Sequence, residues 1–300
     1  MPDDWLMISA CMGVASLLPV LLRLRAGLRG TALAHAWPAM FLAWTVWTVV
    51  SIVALVPSSL RSWAGCLWYL AAVVALIPPV AALGARRPIN RAWTWFVLVP
   101  LVLVFAWPVM PAVWRGMNNP AAFDLETPVV VGFLLVSLMG AGNYLGLAHT
   151  VSALLWIAGL WLVVLPLCPS TSRWAADAPT GRALGTLCLV AAGWIADRQA
   201  ARRCASNDGR AGLDRAWDDF RELFGIVWAR RIMERFNSDA QRQPTPLHLA
   251  LHGLEDASGC RPDSQADAAS IEAAETSLRW LLQKFVDPEW IDRRTRRQVP

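Results

Sequence analysis

The segment Trp63–Leu83, with the sequence WAGCLWYLAAVVALIPPVAAL, decides the fold class of this chain. None of its residues is Asp, Glu, Lys or Arg, and nearly all are apolar. About 20 such residues in a helix cross the roughly 30 Å hydrocarbon core of a bilayer, where only internally hydrogen-bonded segments are stable. The segment therefore predicts a membrane-spanning helix.

Segments of the same kind fill the first two thirds of the chain. We expect seven membrane-spanning helices, the last of them short, near residues 5–22, 35–56, 63–83, 93–114, 127–145, 148–167 and 183–196. Only 16% of the 300 residues are charged and 56% are hydrophobic, whereas soluble domains are about one quarter charged. The sequence predicts an all-α polytopic membrane bundle over residues 1–197. It excludes a disordered chain or an ordinary soluble enzyme for that part.

Basic residues are distributed unevenly among the predicted loops. With the N-terminus outside, nine Arg residues fall in inner loops or just after the seventh helix, and four fall in outer loops. The inner set is Arg23, Arg25, Arg29, Arg86, Arg87, Arg91, Arg198, Arg202 and Arg203, and the outer set is Arg61, Arg115, Arg173 and Arg182. Because cytoplasmic loops are enriched in Lys and Arg, we predict an external N-terminus and a cytoplasmic location for residues 198–300.

The balance between Arg and Lys indicates the source of the protein. Lys284 is the only Lys among the 27 basic residues, a bias typical of GC-rich bacterial coding sequences. We therefore expect a protein of the bacterial cytoplasmic (inner) membrane, with the lipid bilayer as its first partner.

Ionisable residues are missing from the predicted spans. No Asp, Glu, Lys or Arg lies within the first six. Such groups at bilayer depth are costly and mark proton relays, ion paths or catalytic centres. Their absence argues against a proton-coupled pump and an aspartyl intramembrane protease, and the sequence has no His-Glu-x-x-His metalloprotease motif. We predict no catalytic, cofactor-binding or metal-binding residues, and we expect the Cys residues of the spans to pack rather than to pair.

One polar stretch interrupts the membrane part, Gly140–Thr150, GAGNYLGLAHT. One interpretation is a tight turn between the fifth and sixth spans, with Gly142 and Gly146 as a small-x-x-x-small pair that lets helices approach closely. The other is a polar binding site at the cytoplasmic mouth. Its candidate residues are Asn143, Tyr144, His149 and Thr150. We favour the turn and keep those four side chains as the candidate site.

Residues 198–300 are mixed in charge and predict a small α+β or mainly helical cytoplasmic domain. An apolar stripe predicts one amphipathic helix over residues 211–237. The stripe consists of Leu213, Trp217, Phe220, Phe224 and Val227, followed on a shifted line by Trp228, Ile232 and Phe236. A second helix is predicted near 268–286, capped by Asp267. We expect the stripe to pack within the domain; a cytoplasmic partner protein, a homo-oligomer or the membrane surface are the alternatives.

Residues 247–252, LHLALH, alternate Leu with His or Ala after two prolines, which predicts a short strand. His248 and His252 would then lie about 13 Å apart, at about 3.3 Å per residue, too far to share a metal ion with Cys260. The region holds 17 basic and 16 acidic residues, including a basic tail at 293–297. This near-balance gives no electrostatic footprint for nucleic acid, so no nucleic-acid partner is expected.

These patterns favour a protein that is not an enzyme, since no catalytic constellation is present in the sequence. We expect a multi-pass membrane protein whose bundle anchors a cytoplasmic interaction or sensing domain. The first alternative is a transporter or permease component for an uncharged or lipid-like solute, with the 143–150 turn in its path. The second is an enzyme acting on lipids or isoprenoids, which is weakened because no Asp or Glu lies on a span.

Overall fold

A computed structural model of the chain describes residues 2–56, 63–87, 90–116, 123–169, 177–206, 212–241, 247–256 and 268–295. The α-helices of these ranges are α1 (Pro2–Ser16), α2 (Leu18–Gly27), α3 (Trp37–Leu55), α4 (Ala64–Leu83), α5 (Asn90–Trp93), α6 (Val99–Ala106), α7 (Val109–Gly116), α8 (Thr127–Gly142), α9 (Thr150–Val164), α10 (Ala178–Ser206), α11 (Gly212–Phe224), α12 (Ile226–Ala240), α13 (Ala268–Leu282) and α14 (Pro288–Thr295). Asp267, Cys260 and the end of the basic tail lie outside the described residues.

Four helices in the described part of the chain are long and apolar enough to cross a bilayer. They are Trp5–Gly27, which combines α1 and α2, Ala32–Leu55, Ala64–Leu83 and Thr150–Leu167. Two shorter apolar helices, Trp95–Pro111 and Thr127–Gly142, lie at two further predicted spans. An all-α fold with membrane-spanning candidates is therefore confirmed.

The fourth predicted span is interrupted in the structure. Its segment, near 93–114, consists of α5, a π-helical turn at Thr94–Leu98, α6 and α7. Pro100 stands in the first turn of α6, and Pro108 lies between α6 and α7. Because Pro has no backbone N–H and clashes with the preceding turn, each of these residues marks a boundary within the segment.

The seventh predicted helix is longer than expected and packs very closely. The prediction of 183–196 becomes α10, which has 29 residues and lies against α9 and α1. A Cβ at Gly159 would lie 2.7 Å from the carbonyl oxygen of Gly185, and one at Gly185 would lie 2.6 Å from that of Gly159. The backbones of α9 and α10 therefore touch, as they do where small residues line a membrane helix pair.

The C-terminal part differs from the prediction at one decisive point. The single helix expected over 211–237 is two helices, α11 and α12, separated by Gly225. Gly225 has a φ of 83°, a left-handed conformation that cannot continue a right-handed helix. The predicted strand is confirmed as β1 (His248–Ala250), which pairs antiparallel with β2 (Gly253–Glu255). The predicted helix near 268–286 is α13, and α14 follows it.

The buried hydrophobic residues that the structure describes form two clusters. One lies inside the helix bundle and contains Trp68, Tyr69 and Phe133. The other is built on the aromatic stripe of α11 and α12, together with α13, α14 and the hairpin. This second cluster also contains residues of the bundle's own loops and helix ends: Leu28, Ala32, Leu33, Ala82 and Ala85. The described residues from 212 to 295, here called the C-terminal unit, therefore share a core with the bundle.

Candidate functional site

Among the described residues, three loops of the bundle form hydrogen bonds with the C-terminal unit, most of them between main-chain groups. In the loop at 28–36, the Ala32 N–H donates to the carbonyl of Phe285 at 2.7 Å, and the Asp287 N–H donates to Gly30 at 2.7 Å. At the end of α4, the Arg87 N–H donates to Lys284 at 3.1 Å, and the Trp228 indole donates to Leu83 at 3.1 Å. The third loop, at 143–149, contains three of the four candidate polar residues, and the fourth, Thr150, follows it as the first residue of α9.

Asn143 binds the C-terminal unit at the break between α11 and α12. Its main-chain carbonyl accepts from the Ile226 N–H at 2.9 Å, and its side-chain oxygen accepts from the Val227 N–H at 3.1 Å. Its side-chain amide donates to the carbonyl of Phe224 at 3.0 Å. The first N–H groups and last carbonyls of a helix have no partner within it. Asn143, which is 1% exposed, provides hydrogen-bond partners for the first N–H groups of α12 and for the last carbonyl of α11.

Gly225 fits this arrangement for two independent reasons. Its φ of 83° favours glycine, and a Cβ built on it would lie 2.2 Å from the side-chain nitrogen of Asn143. No side chain can occupy that space without displacing Asn143. We call this contact, residues 143–150 against residues 221–227, the junction.

Tyr144 and Thr150 complete the loop in different ways. The Tyr144 hydroxyl donates to the carbonyl of Leu223 at 3.3 Å, and burial raises the pKa of Tyr144 to about 12, with the hydrogen bond from Asn143 opposing. The Thr150 hydroxyl donates within the loop, to the carbonyl of Leu147 at 2.6 Å. Tyr144 therefore contacts the C-terminal unit, whereas the hydroxyl of Thr150 closes the turn.

His149 lies against a charged cluster. Its ring meets that of Tyr144 edge to face, with centroids 6.4 Å apart. Burial lowers the pKa of His149 below its usual 6.5, and the positive charge of Arg203 lowers it further. The negative charge of Glu222 and a hydrogen bond with Gln199 act in the opposite direction and raise this pKa. The imidazole is therefore held towards its neutral form at the edge of the junction.

Glu222 joins three elements at this point and was missed from the sequence. It accepts from the Ala148 N–H at 3.0 Å and pairs with Arg203 on α10 at 2.9 Å and with Arg221 at 3.2 Å. Arg221 also pairs with Asp218 at 3.2 Å and donates to the carbonyl of Leu251 in the hairpin. Asp218 and Glu222 are both buried, and both lie within two positions of residues of the aromatic stripe in the sequence. That proximity is the signal from which their burial could have been inferred.

Two further sequence features take their place in the structure. Gly142 and Gly146 do not bring helices together, because a Cβ at either one would meet no atom within 4 Å. The φ of 79° at Gly146 accounts for glycine there, and the tight turn itself is present.

His248 lies on β1 with its ring nitrogen 3.7 Å from Glu255. Within the described ranges no group of three or more His, Cys, Asp or Glu side chains could hold a metal ion.

Comparison with known proteins identifies no relative of this chain. No protein-family model matches the chain, and no curated protein and no solved structure is significantly similar to it. No activity, ligand or partner is therefore transferred from another protein. The junction and the contacts around it are the features that bear on function.

Proposed function

We propose that this chain is a seven-helix protein of the bacterial inner membrane whose cytoplasmic C-terminal unit senses the state of the bundle, with no chemistry of its own. The observation that carries the proposal is the binding of Asn143, in the loop between α8 and α9, to both helix ends at Gly225. A unit that was merely tethered would need no such contact. A unit that responds to helix movement needs a rigid connection to the loops that move.

The positions of the loops support the proposed topology. The three loops that bind the C-terminal unit are the first, third and fifth of the predicted order, which lie on one side of a membrane only if the intervening helices cross in pairs. At 29 residues, α10 is about 43 Å long at about 1.5 Å per residue, which is more than the hydrocarbon core requires. It is not one of the four helices that are both long and apolar enough to cross, so its crossing is part of the proposal. Arg23, in the second half of α2, pairs with Asp197 on α10 at 2.8 Å, which brings those two helices together at the same level.

The hydrogen bonds of the junction support coupling between the two parts. If the 143–149 loop moved away from Gly225, the Val227 N–H, the Ile226 N–H and the carbonyl of Phe224 would lose buried partners. Each unsatisfied buried group costs about 1–3 kcal/mol. The loop and the break between α11 and α12 therefore move together or separate at a substantial cost.

The same contacts weaken the transporter alternative at this position. The amide of Asn143 and the hydroxyl of Tyr144 bind main-chain groups of the C-terminal unit and do not line a path through the bundle. A solute that used them would have to displace the unit. We therefore assign these residues to coupling rather than to transport.

Hydrogen exchange on the full chain in lipid nanodiscs tests the coupling. We expect Asn143→Ala to increase exchange at the Ile226 and Val227 amides and, through the shared core, at those of Ala32 and Asp287. Asn237→Ala is the matched control, since Asn237 makes a similar pair of hydrogen bonds with Leu249, at 3.0 and 2.7 Å, entirely within the C-terminal unit. Exchange that rises only at the junction in Asn143→Ala would show a passive tether and overturn the proposal.

Labelling with a membrane-impermeant maleimide tests the orientation. In a background without native Cys residues, Asp124→Cys reports on the proposed outer side and Glu234→Cys on the C-terminal unit. Both positions are exposed in the structure. We expect intact spheroplasts to label the first and not the second. The reverse pattern would invert the topology and contradict the cytoplasmic assignment.

A further inference from the structure

A cavity of about 350 Å³ lies between the beginning of α3, the end of α4 and the broken fourth segment. It is open on one side, where Val99 and Leu103 of α6 are exposed. Its volume falls within the roughly 300–1,000 Å³ of ligand-binding pockets. The cavity is separate from the junction described above.

Small residues and a backbone irregularity create this space. Ala36 and Ala39 on one wall face Ala81, Gly84 and Ala85 on another, so that no large side chain fills the gap between the helices. The third wall begins with the π-helical turn at Thr94–Leu98, where the helix is wider than an α-helix. Turns of this kind occur often at functional sites.

The lining determines which ligand could bind. It is almost entirely hydrocarbon, with His35 and the indole of Trp93 as its polar side chains. The indole N–H is already used, since it donates to the carbonyl of Val80 at 3.1 Å. The cavity therefore offers many apolar contacts and almost no hydrogen bonds, which suits a long hydrocarbon chain and excludes a sugar, nucleotide or ion.

The surroundings point to the source of that chain. Two of the three walls belong to α3 and α4, which are long and apolar enough to cross a bilayer. The opening is bordered by apolar side chains, of which Leu103 is 65% exposed. A cavity that opens between such helices faces lipid hydrocarbon, so that a bilayer lipid reaches it without passing through water.

The cavity also touches the contacts that hold the C-terminal unit. Ala32 and Ala85 line the cavity and belong at the same time to the core of that unit. The Ala32 N–H donates to Phe285. We infer that the cavity binds an acyl chain of a bilayer phospholipid and that its occupancy is the signal to which the C-terminal unit responds. The second half of this inference rests on the proposed function.

Photocrosslinking tests the binding. The full chain is placed in vesicles containing a phosphatidylglycerol with a diazirine in the middle of one acyl chain. We expect labelling at Ala36, Ala85 and Leu98 themselves, located by fragmentation of the labelled peptides, because these residues are buried whereas their neighbours Phe96 and Leu103 are exposed to surrounding lipid. Labelling confined to exposed faces such as that of α9 would overturn the site.

Substitutions that fill the cavity test whether the labelling depends on the cavity itself. Ala39→Leu combined with Ala81→Leu is expected to reduce labelling at Leu98 at least threefold. Ala39→Leu alone is expected to give an intermediate value, and it serves as the test if the double variant accumulates poorly. Ala158→Leu is the matched control, because Ala158 is exposed on α9. Labelling that survives both filling variants would overturn the assignment of the acyl chain to this cavity.

A second measurement separates this inference from the proposed function. Exchange of the Ala32 and Asp287 amides is followed in the filled variants. Faster or slower exchange than in Ala158→Leu supports the response to occupancy, and unchanged exchange overturns it. Loss of the lipid site leaves the effect of Asn143→Ala intact, whereas failure of the proposed function removes that effect and leaves the labelling unchanged.

Discussion

The glycine contact in the bundle and the glycine contact at the junction stabilise their surroundings by different physics. In the bundle, Gly159 and Gly185 let the backbones of α9 and α10 touch, with no polar side chain involved. At the junction, Gly225 adopts a positive φ and makes room for Asn143, whose hydrogen bonds are directional. Close packing resists compression but specifies no partner. Hydrogen bonds to unpaired helix ends specify one loop in one position, so the junction is better suited to transmit a movement.

The largest effect is expected at the junction. In Gly225→Ala the new Cβ meets Asn143 and the backbone keeps a strained φ, which costs about 1–3 kcal/mol before the lost hydrogen bonds are added. We expect a clear fall in the thermal stability of the C-terminal unit, followed by near-UV circular dichroism. Gly142→Ala is the control, since a Cβ there meets nothing within 4 Å. Equal transitions for the two variants would contradict the assigned role of Gly225.

A smaller effect, located elsewhere, is expected in the bundle. Gly185→Ala places a Cβ against the carbonyl oxygen of Gly159 and forces α9 and α10 apart, at a cost of about 1–3 kcal/mol for overpacking. We expect earlier unfolding of the bundle in a detergent titration. Exchange at the Ile226 amide should rise less than in Gly225→Ala, because α9 begins directly after the 143–149 loop and passes on only part of the displacement. Gly27→Ala, in open space at the end of α2, serves as the reference. A change at Ile226 as large as that in Gly225→Ala would show that the two contacts are not independent.

The smallest effect is a dependence on pH at His149. Its folded pKa lies below the usual 6.5 because of burial, so the unfolded chain binds the proton first as the pH falls. This contribution to stability is complete above about pH 6.5 and is lost as the pH falls from there towards the folded pKa. Glu222 and Arg203 are the charged groups acting on the ring.

Thermal unfolding between pH 7.5 and 5.5 measures this contribution. We expect His149→Gln to remove part of the loss of stability on acidification that the parent protein shows. His252→Gln, at an exposed position outside both the junction and the cavity, provides the comparison. An identical pH dependence in the parent and in His149→Gln would contradict the role of this imidazole.

The candidate site was identified in part from local sequence. Asn143, Tyr144, His149 and Thr150 were selected because they are polar residues at the end of an apolar helix, and the structure places the first three against or beside the C-terminal unit. Their partners could not be identified in the same way. Phe224 is 81 positions from Asn143, and nothing in either segment indicates the other.

The break at Gly225 likewise could not be predicted from the neighbouring sequence alone. The apolar stripe shifts from one line to another at Val227 and Trp228, which indicated a change of face but not two helices. A glycine inside a helical pattern costs only about 1 kcal/mol and does not by itself end a helix. The helix ends there because Asn143, supplied by the bundle, binds the groups that a continuous helix would have paired.

Hydropathy and periodicity by themselves determined that this chain is helical, that its first two thirds contain membrane-spanning candidates, and that a short strand follows the prolines near residue 247. These properties depend on residues within one or two turns of each other. Only the tertiary structure decided which glycines bring helices together, where the amphipathic helix breaks, and that Glu222 and Asn143 are buried in one contact. Those outcomes depend on hydrogen-bond partners and steric neighbours far along the chain, and they carry the proposed function.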